Sequence, residues 1–322
     1  MLLRLQSIAS SITFQQFREN VFHLPSGVTL ITLWIENATA MQSFRIAGEA
    51  WVTQLQFMDT SLDRIPATIG YLRSLNSFSL TRSKLKNLQL DAVFRMPELR
   101  IDLSYNRVWK MESTSQLALS SIESLIMMRN NLTKLPWEES FQLPDLRVLL
   151  LDENDFTQMP NSWGELPKLT TLSLQKNQLK VLSMSAFRSL AELKSILLSY
   201  NQLEVVNSVG PVVVLPQLSV LSFLYNNITQ IDLSGCQFPI LSILTLSNNL
   251  FQRIPRQIFS LNPTISLKMY ENPLRCANVR QFRNEIVANR LRITSADGQP
   301  SNACSKQSIY IQEMNKTMCC VG

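Results

Sequence analysis

The sequence predicts an α/β solenoid in which short parallel strands stack coil upon coil. Two observations carry that reading. An apolar pair of the form LxL returns at a near-constant interval, and an asparagine follows it at a fixed distance. With the last strand residue as marker, the positions are Phe57, Leu80, Leu103, Met127, Leu151, Leu174, Leu198, Phe223, Leu246 and Met269, 23 to 25 residues apart. The 322 residues are 45% hydrophobic and 17% charged, ample for a core and unlike a disordered chain. No run approaches the ~18 uninterrupted apolar residues of a membrane span.

The copies align on LxxLxLxxNxL: LNSFSLTRSKL, ELRIDLSYNRV, IESLIMMRNNL, LRVLLLDENDF, LTTLSLQKNQL, LKSILLSYNQL, LSVLSFLYNNI, LSILTLSNNLF and TISLKMYENPL, after a degenerate VTQLQFMDTSL. This is the pattern of a leucine-rich repeat array. It implies a horseshoe-shaped solenoid with a parallel β-sheet on the concave face, closed by N- and C-terminal caps. Residues 1–51 read as the N-terminal cap or flank, 52–274 as about ten repeats, and 275–322 as a C-terminal cap and cysteine-containing tail.

Each element has a physical reason. The two apolar residues of LxL lie on one side of a strand and point inward. One repeat cannot bury that face alone, so neighbours share a core. Prolines 97, 144, 167, 216 and 239 end the convex segments before the strands, and Phe94, Phe141, Phe187 and Phe259 are expected to fill the wide back of each turn. Asn106, Asn130, Asn154, Asn177, Asn201, Asn226, Asn249 and Asn272 occupy one point of eight copies, where the chain leaves the strand. An amide that both donates and accepts can satisfy backbone groups in a dry turn, so these asparagines read as a structural ladder.

Before the array, the apolar pairs Leu33/Ile35, Phe44/Ile46 and Leu55/Phe57 recur every eleven residues, too close for full repeats. They read as a compact β cap, a hairpin with Trp34 and Trp51 as packing residues, and His23 in the loop HLPSG. The start, MLLRLQSIASSITF, lacks a clean apolar stretch and cleavage site and is not read as a signal peptide.

Sequons begin at Asn37, Asn131, Asn227 and Asn315. Asn131 and Asn227 each follow a ladder asparagine, so their side chains are expected to face outward as glycosylation sites. In a cytosolic chain the same sequons would mean nothing. Five cysteines lie at or beyond Cys236. Between Cys276 and Cys304, NVRQFRNEIVANRLRI reads as an amphipathic helix with Val279, Phe282 and Ile286 on the face that closes the core. A Cys276–Cys304 disulfide is expected to staple that cap in an oxidising compartment, with two reduced thiols as the cytosolic alternative. Adjacent Cys319 and Cys320 are poorly placed to bond each other and are candidates for interchain disulfides. Cys236 reads as a small buried apolar residue.

The array followed by NPLRC and a one-disulfide cap resembles the extracellular leucine-rich repeat proteins of animals, whose caps commonly hold four cysteines. The terminal Cys319-Cys320 pair resembles the secreted leucine-rich immune proteins of mosquitoes, here as a coil-less or truncated member. That resemblance implies a disulfide-linked dimer, with a complement-like thioester protein or another leucine-rich repeat chain as partner.

Strand residues beside LxL face the concave surface. Apolar ones gather as Ile126, Met128 and Leu150, and as Leu197, Tyr200, Leu224 and Tyr225, with Tyr105 in the same column as the other tyrosines. Tyrosines on such a face suggest a protein or glycan ligand. The bland alternative is that they pack on one another. Of the net charge of +6, residues 273–322 carry +4, seven Lys or Arg against three carboxylates. Few aromatics accompany them, which favours a solvated face over nucleic-acid binding. A single histidine excludes a two-histidine metal motif, and no phosphate loop or nucleophile elbow appears. Catalysis, cofactors and metals are therefore not expected. The function expected is non-catalytic protein recognition in secreted innate immunity; an intracellular scaffold or a truncated receptor ectodomain is the alternative.

Overall fold

A computed structural model describes residues 11–89, 98–112, 122–135, 143–160, 163, 166–293, 307–312 and 316–321. The chain forms two compact units, residues 1–155 with 160–169 and residues 156–159 with 170–322.

In the first unit the strands Ser11–Gln15, Thr29–Glu36, Trp51–Met58, Ser77–Thr81, Leu99–Asp102, Ile122–Ile126 and Val148–Leu150 pair in chain order, every one parallel to the next. Parallel neighbours need a crossover, so each coil returns on the far side of the core. There, Val21–Leu24 pairs in parallel with Ser43–Ile46, and Asn87–Gln89 with Lys110–Glu112.

This corrects the expected N-terminal hairpin. The strands before residue 52 are parallel and continue the coil pattern. The eleven-residue recurrence is half a coil: Leu33/Ile35 and Leu55/Phe57 lie in the main sheet, and Phe44/Ile46 in the opposite one. His23 lies in a strand, beside Arg45, and Trp51 is 51% exposed rather than packed in a cap. Aromatic rings fill these coils instead. Phe22 stacks on Phe44 at 5.5 Å, Phe44 meets Phe57 edge-on at 4.9 Å, and Phe57 meets Phe78 at 6.3 Å.

In the second unit the main sheet consists of Thr171–Ser173, Ser195–Leu197, Val220–Ser222, Ile243–Thr245, Ser266–Lys268 and Leu291–Arg292, again parallel. Val181–Ser183, Val205–Asn207 and Gln230–Ile231 form a second sheet at the coil corners. The backs of the coils hold short 3₁₀ turns such as Met184–Phe187 and Arg256–Ser260. Phe187 fills its back as expected, whereas Ile258 takes that place in the later coil and Phe259 is only half-buried. Phe94 and Phe141 lie outside the described residues.

The asparagine ladder forms. Asn226 Nδ2 donates to the carbonyls of Leu198 and Phe223 at 3.1 Å each and Leu224 at 3.4 Å, and its Oδ1 accepts the Leu203 N–H at 3.0 Å. Asn106, Asn130, Asn154, Asn201, Asn249 and Asn272 repeat this arrangement. Each amide joins one coil to the next, pairing a buried N–H at its Oδ1 and adding a donor to the corner carbonyls at its Nδ2.

The C-terminal cap is two short helices, Cys276–Arg280 and Arg283–Val287, rather than one. Val279, Phe282 and Ile286 are all buried, as the amphipathic pattern requires. Asn289, at φ 57°, ends the second helix, and Leu291–Arg292 joins the sheet beside Ser266–Lys268. An antiparallel hairpin, Gln307–Ile311 with Lys316–Cys320, docks on this cap.

The disulfide formed is Cys276–Cys320, with Cα atoms 5.0 Å apart, and it corrects the expected Cys276–Cys304. The hairpin decides the partner. Val321 bridges Arg275, donating to Leu274 O at 2.8 Å and accepting from the Cys276 N–H at 2.9 Å, which sets Cys320 beside Cys276. Cys304 lies outside the described residues.

Candidate recognition surface

The residue just before each ladder position has a left-handed backbone. Gln16, Asn37, Asp59, Arg82, Tyr105, Arg129, Glu153, Lys176, Tyr200, Tyr225, Asn248 and Glu271 have φ between 48° and 59°. The turn carries the chain out of the strand while keeping its N–H in the ladder: Tyr105 N donates to Met128 O, and Tyr200 N to Leu224 O. Glycine would adopt this conformation without steric penalty, whereas a residue with a Cβ gives up roughly 1–2 kcal/mol. None of these positions is glycine, so each coil carries a strained residue with an outward side chain.

In the second unit two neighbouring positions of this column are tyrosines. Tyr200 and Tyr225 stack with ring centroids 4.6 Å apart and planes at 17°, and they remain 44% and 47% exposed. Leu197, at the end of its strand, and Leu224, two residues past the end of Val220–Ser222, are half-buried beside them. Underneath, the Ser199 and Ser222 hydroxyls lie 2.9 Å apart. The result is a flat aromatic platform with a free outer rim.

In the first unit the same column is charged. Arg82 and Arg129 flank Tyr105, with guanidinium carbons 5.4 and 4.9 Å from the ring centre. Arg129 Nε also meets Glu153 at 2.6 Å, and that hydrogen bond pushes the arginine pKa up. The cationic flanks of Tyr105 were not foreseen, although Arg82 and Arg129 precede their ladder residues as Tyr105 does. Ile126 lies opposite Leu150 in register, with Met128 two residues on, all half-buried. This apolar cluster is thus less available than the tyrosine platform.

Asn37, Asn131 and Asn227 are exposed. Asn37 sits in the left-handed column, and Asn131 Nδ2 lies 3.5 Å from Asp155 Oδ2. Asn315 lies outside the described residues. Bonding of Cys320 to Cys276 removes it as an interchain candidate, leaving Cys319. Cys236 is buried beside Ser208 and Asp232, and burial pushes its thiol up to about 11. Among the described residues no three His, Cys, Asp or Glu side chains gather to hold a metal, and no helix is long and apolar enough to cross a membrane.

Residues 100–156 and 167–210 match the leucine-rich repeat family model. No curated protein sequence matches the chain. Among solved structures, one similar fold is in the octameric complex of Latrophilin 3, Unc5D and FLRT2 (LRR), at 18% identity and TM-score 0.63, covering 83% of each chain. Another is in the TLR13–ssRNA13 complex, at 19% identity and TM-score 0.59, covering 76% of this chain and 40% of that one. A third is in the LRIM1/APL1C complex, at 18% identity and TM-score 0.56, covering 79% and 50%. Likeness at this identity concerns the fold. The fold is a solenoid of stacked parallel coils joined by an asparagine ladder, and the two matched segments are leucine-rich repeats.

Proposed function

We propose that this chain is a non-catalytic recognition protein that holds a protein partner on its sheet face, centred on Tyr200 and Tyr225. The observation that carries this reading is a stacked, half-exposed tyrosine pair held in a backbone conformation that disfavours it. Tyrosine is enriched where a few residues dominate binding, and two preordered rings lose little entropy when covered. Similar folds occur in protein complexes, which supports a protein partner.

The setting proposed is extracellular and immune. Exposed sequons at Asn37, Asn131 and Asn227 and the Cys276–Cys320 bond favour an oxidising, glycosylating route. Cys319 is the proposed interchain link, to a second copy or another leucine-rich repeat chain. A complement-like thioester protein remains the partner that the resemblance to mosquito immune proteins implies.

A photoreactive phenylalanine analogue at position 225, with the same probe at exposed Val181 as control, tests the surface. Crosslinks to one partner from position 225 alone are expected; crosslinks from position 181 alone would move binding off the sheet face. Gel mobility with and without reductant tests the setting. A glycosylated species that doubles without reductant is expected, and an unmodified monomer confined to cells would favour an intracellular scaffold.

A further inference from the structure

A cleft of about 750 Å³ opens in the first unit, and none of the tyrosine platform residues lines it. Its lining carries Arg45, Arg64, Lys84 and Lys86 and a single carboxylate, Asp63. Arg64 already occupies that carboxylate, with Nε 2.9 Å from Oδ1, and its hydrogen bond holds the Asp63 pKa below the usual range. Arg45, Lys84 and Lys86 have no ion-pair partner among the described residues. The cleft therefore carries an excess of positive charge, four cations against the one carboxylate of Asp63, which focuses a positive field on whatever enters it.

The cations come from successive coils. Arg45 lies on Ser43–Ile46, Arg64 in the turn after Trp51–Met58, and Lys84 and Lys86 in the turn after Ser77–Thr81. Stacked coils are spaced by roughly 4.8 Å, so the cleft gathers its cations from neighbouring coils a short distance apart. Arg107 continues them one coil on: its N–H donates to Leu85 O as that of Lys84 donates to Leu62 O. Such spacing suits a linear polyanion with a charge at each short repeat. Single-stranded nucleic acid would need aromatic faces in the groove, and the one ring lining it, Phe44, is only 3% exposed.

We infer that this cleft binds a sulfated polysaccharide. Guanidinium and ammonium groups would hold successive sulfates, and the open cleft lets the chain run through. The site is separate from the sheet face, so either proposal can fail alone.

Titration calorimetry with a heparin octasaccharide at two salt concentrations tests it. Binding that weakens with salt is expected, with none to the desulfated octasaccharide. Lys84→Glu/Lys86→Glu should weaken binding by about tenfold or more, as loss and reversal of two surface contacts implies. Lys84→Arg/Lys86→Arg should retain binding, and Tyr200→Gly/Tyr225→Gly should leave it unchanged. Arg275→Glu/Arg280→Glu, equal in charge change but in the C-terminal cap, should also bind normally. Four results would overturn the proposal: undiminished binding by Lys84→Glu/Lys86→Glu, loss in the cap variant instead, or equal affinity for polyglutamate or polyadenylate of matched length.

Discussion

The corner of the coil is occupied by asparagine from Asn106 to Asn272, and by Ala38, Thr60 and Ser83 in the coils before it. The two regions solve one problem differently. Where asparagine is present, strands of three residues suffice, as in Thr171–Ser173 and Ser195–Leu197, because the amide satisfies corner groups that the strand does not reach. Where it is missing, Thr29–Glu36 and Trp51–Met58 run for eight residues and the main-chain ladder does more. The Thr60 and Ser83 hydroxyls lie 2.8 Å apart and accept the N–H groups of Leu62 and Thr60 at 3.3 and 3.2 Å, fewer bonds than an amide makes, and Ala38 has no side-chain polar group to offer. Phenylalanines then supply cohesion across these coils. A solenoid can evidently shift its stabilisation from side-chain amides to longer strands and larger rings.

Several substitutions would break or sharpen that contrast. Phe44→Ala should destabilise most, by about 3–5 kcal/mol, because it empties the aromatic run between Phe22 and Phe57. Urea denaturation measures this, and a loss near 1 kcal/mol would show that the rings are not what holds the first coils. Asn226→Ala should follow, at about 2–3 kcal/mol, since it leaves the buried Leu203 N–H without a partner and takes one of two donors from the carbonyls of Leu198, Phe223 and Leu224. Thr60→Ala, the matching change in the early coils, should cost only about 1 kcal/mol. Equal losses for these two would remove the distinction between the regions.

A smaller effect concerns Cys236. Its pKa is raised to about 11 by burial, so the folded state binds the thiol proton more tightly than the unfolded chain. The resulting stabilisation is complete below the ordinary thiol pKa of 9.0 and is lost as pH rises from there towards 11. Iodoacetamide should leave Cys236 unmodified in the native protein at pH 8 and modify it progressively through that window. Rapid labelling at pH 8 would show an accessible thiolate instead.

Much of this was legible in the sequence because repetition amplifies it. The LxL strands, the ladder asparagines and the convergence of Tyr200 with Tyr225 follow from the 23-to-25-residue interval alone. The early coils were hidden because Ala38, Thr60 and Ser83 replace the marker residue. Apolar pairs on both sides of a 22-residue coil also imitate a hairpin of half that period. Cysteine pairing was illegible for another reason: the docking of Val321 against Arg275 selects Cys320, and no spacing rule encodes that contact. The basic cleft escaped because its cations are scattered over forty-odd residues and meet only when coils stack.

The most direct test of the central claim is the thermal unfolding of Tyr200→Gly/Tyr225→Gly. If the tyrosines are kept for contact rather than for the fold, relief of two left-handed strains should offset the lost stacking. The melting temperature should then stay within about 3 °C of the parent. A fall as large as that of Asn226→Ala would mean that the pair is a structural clamp, and the recognition surface would have to be sought elsewhere.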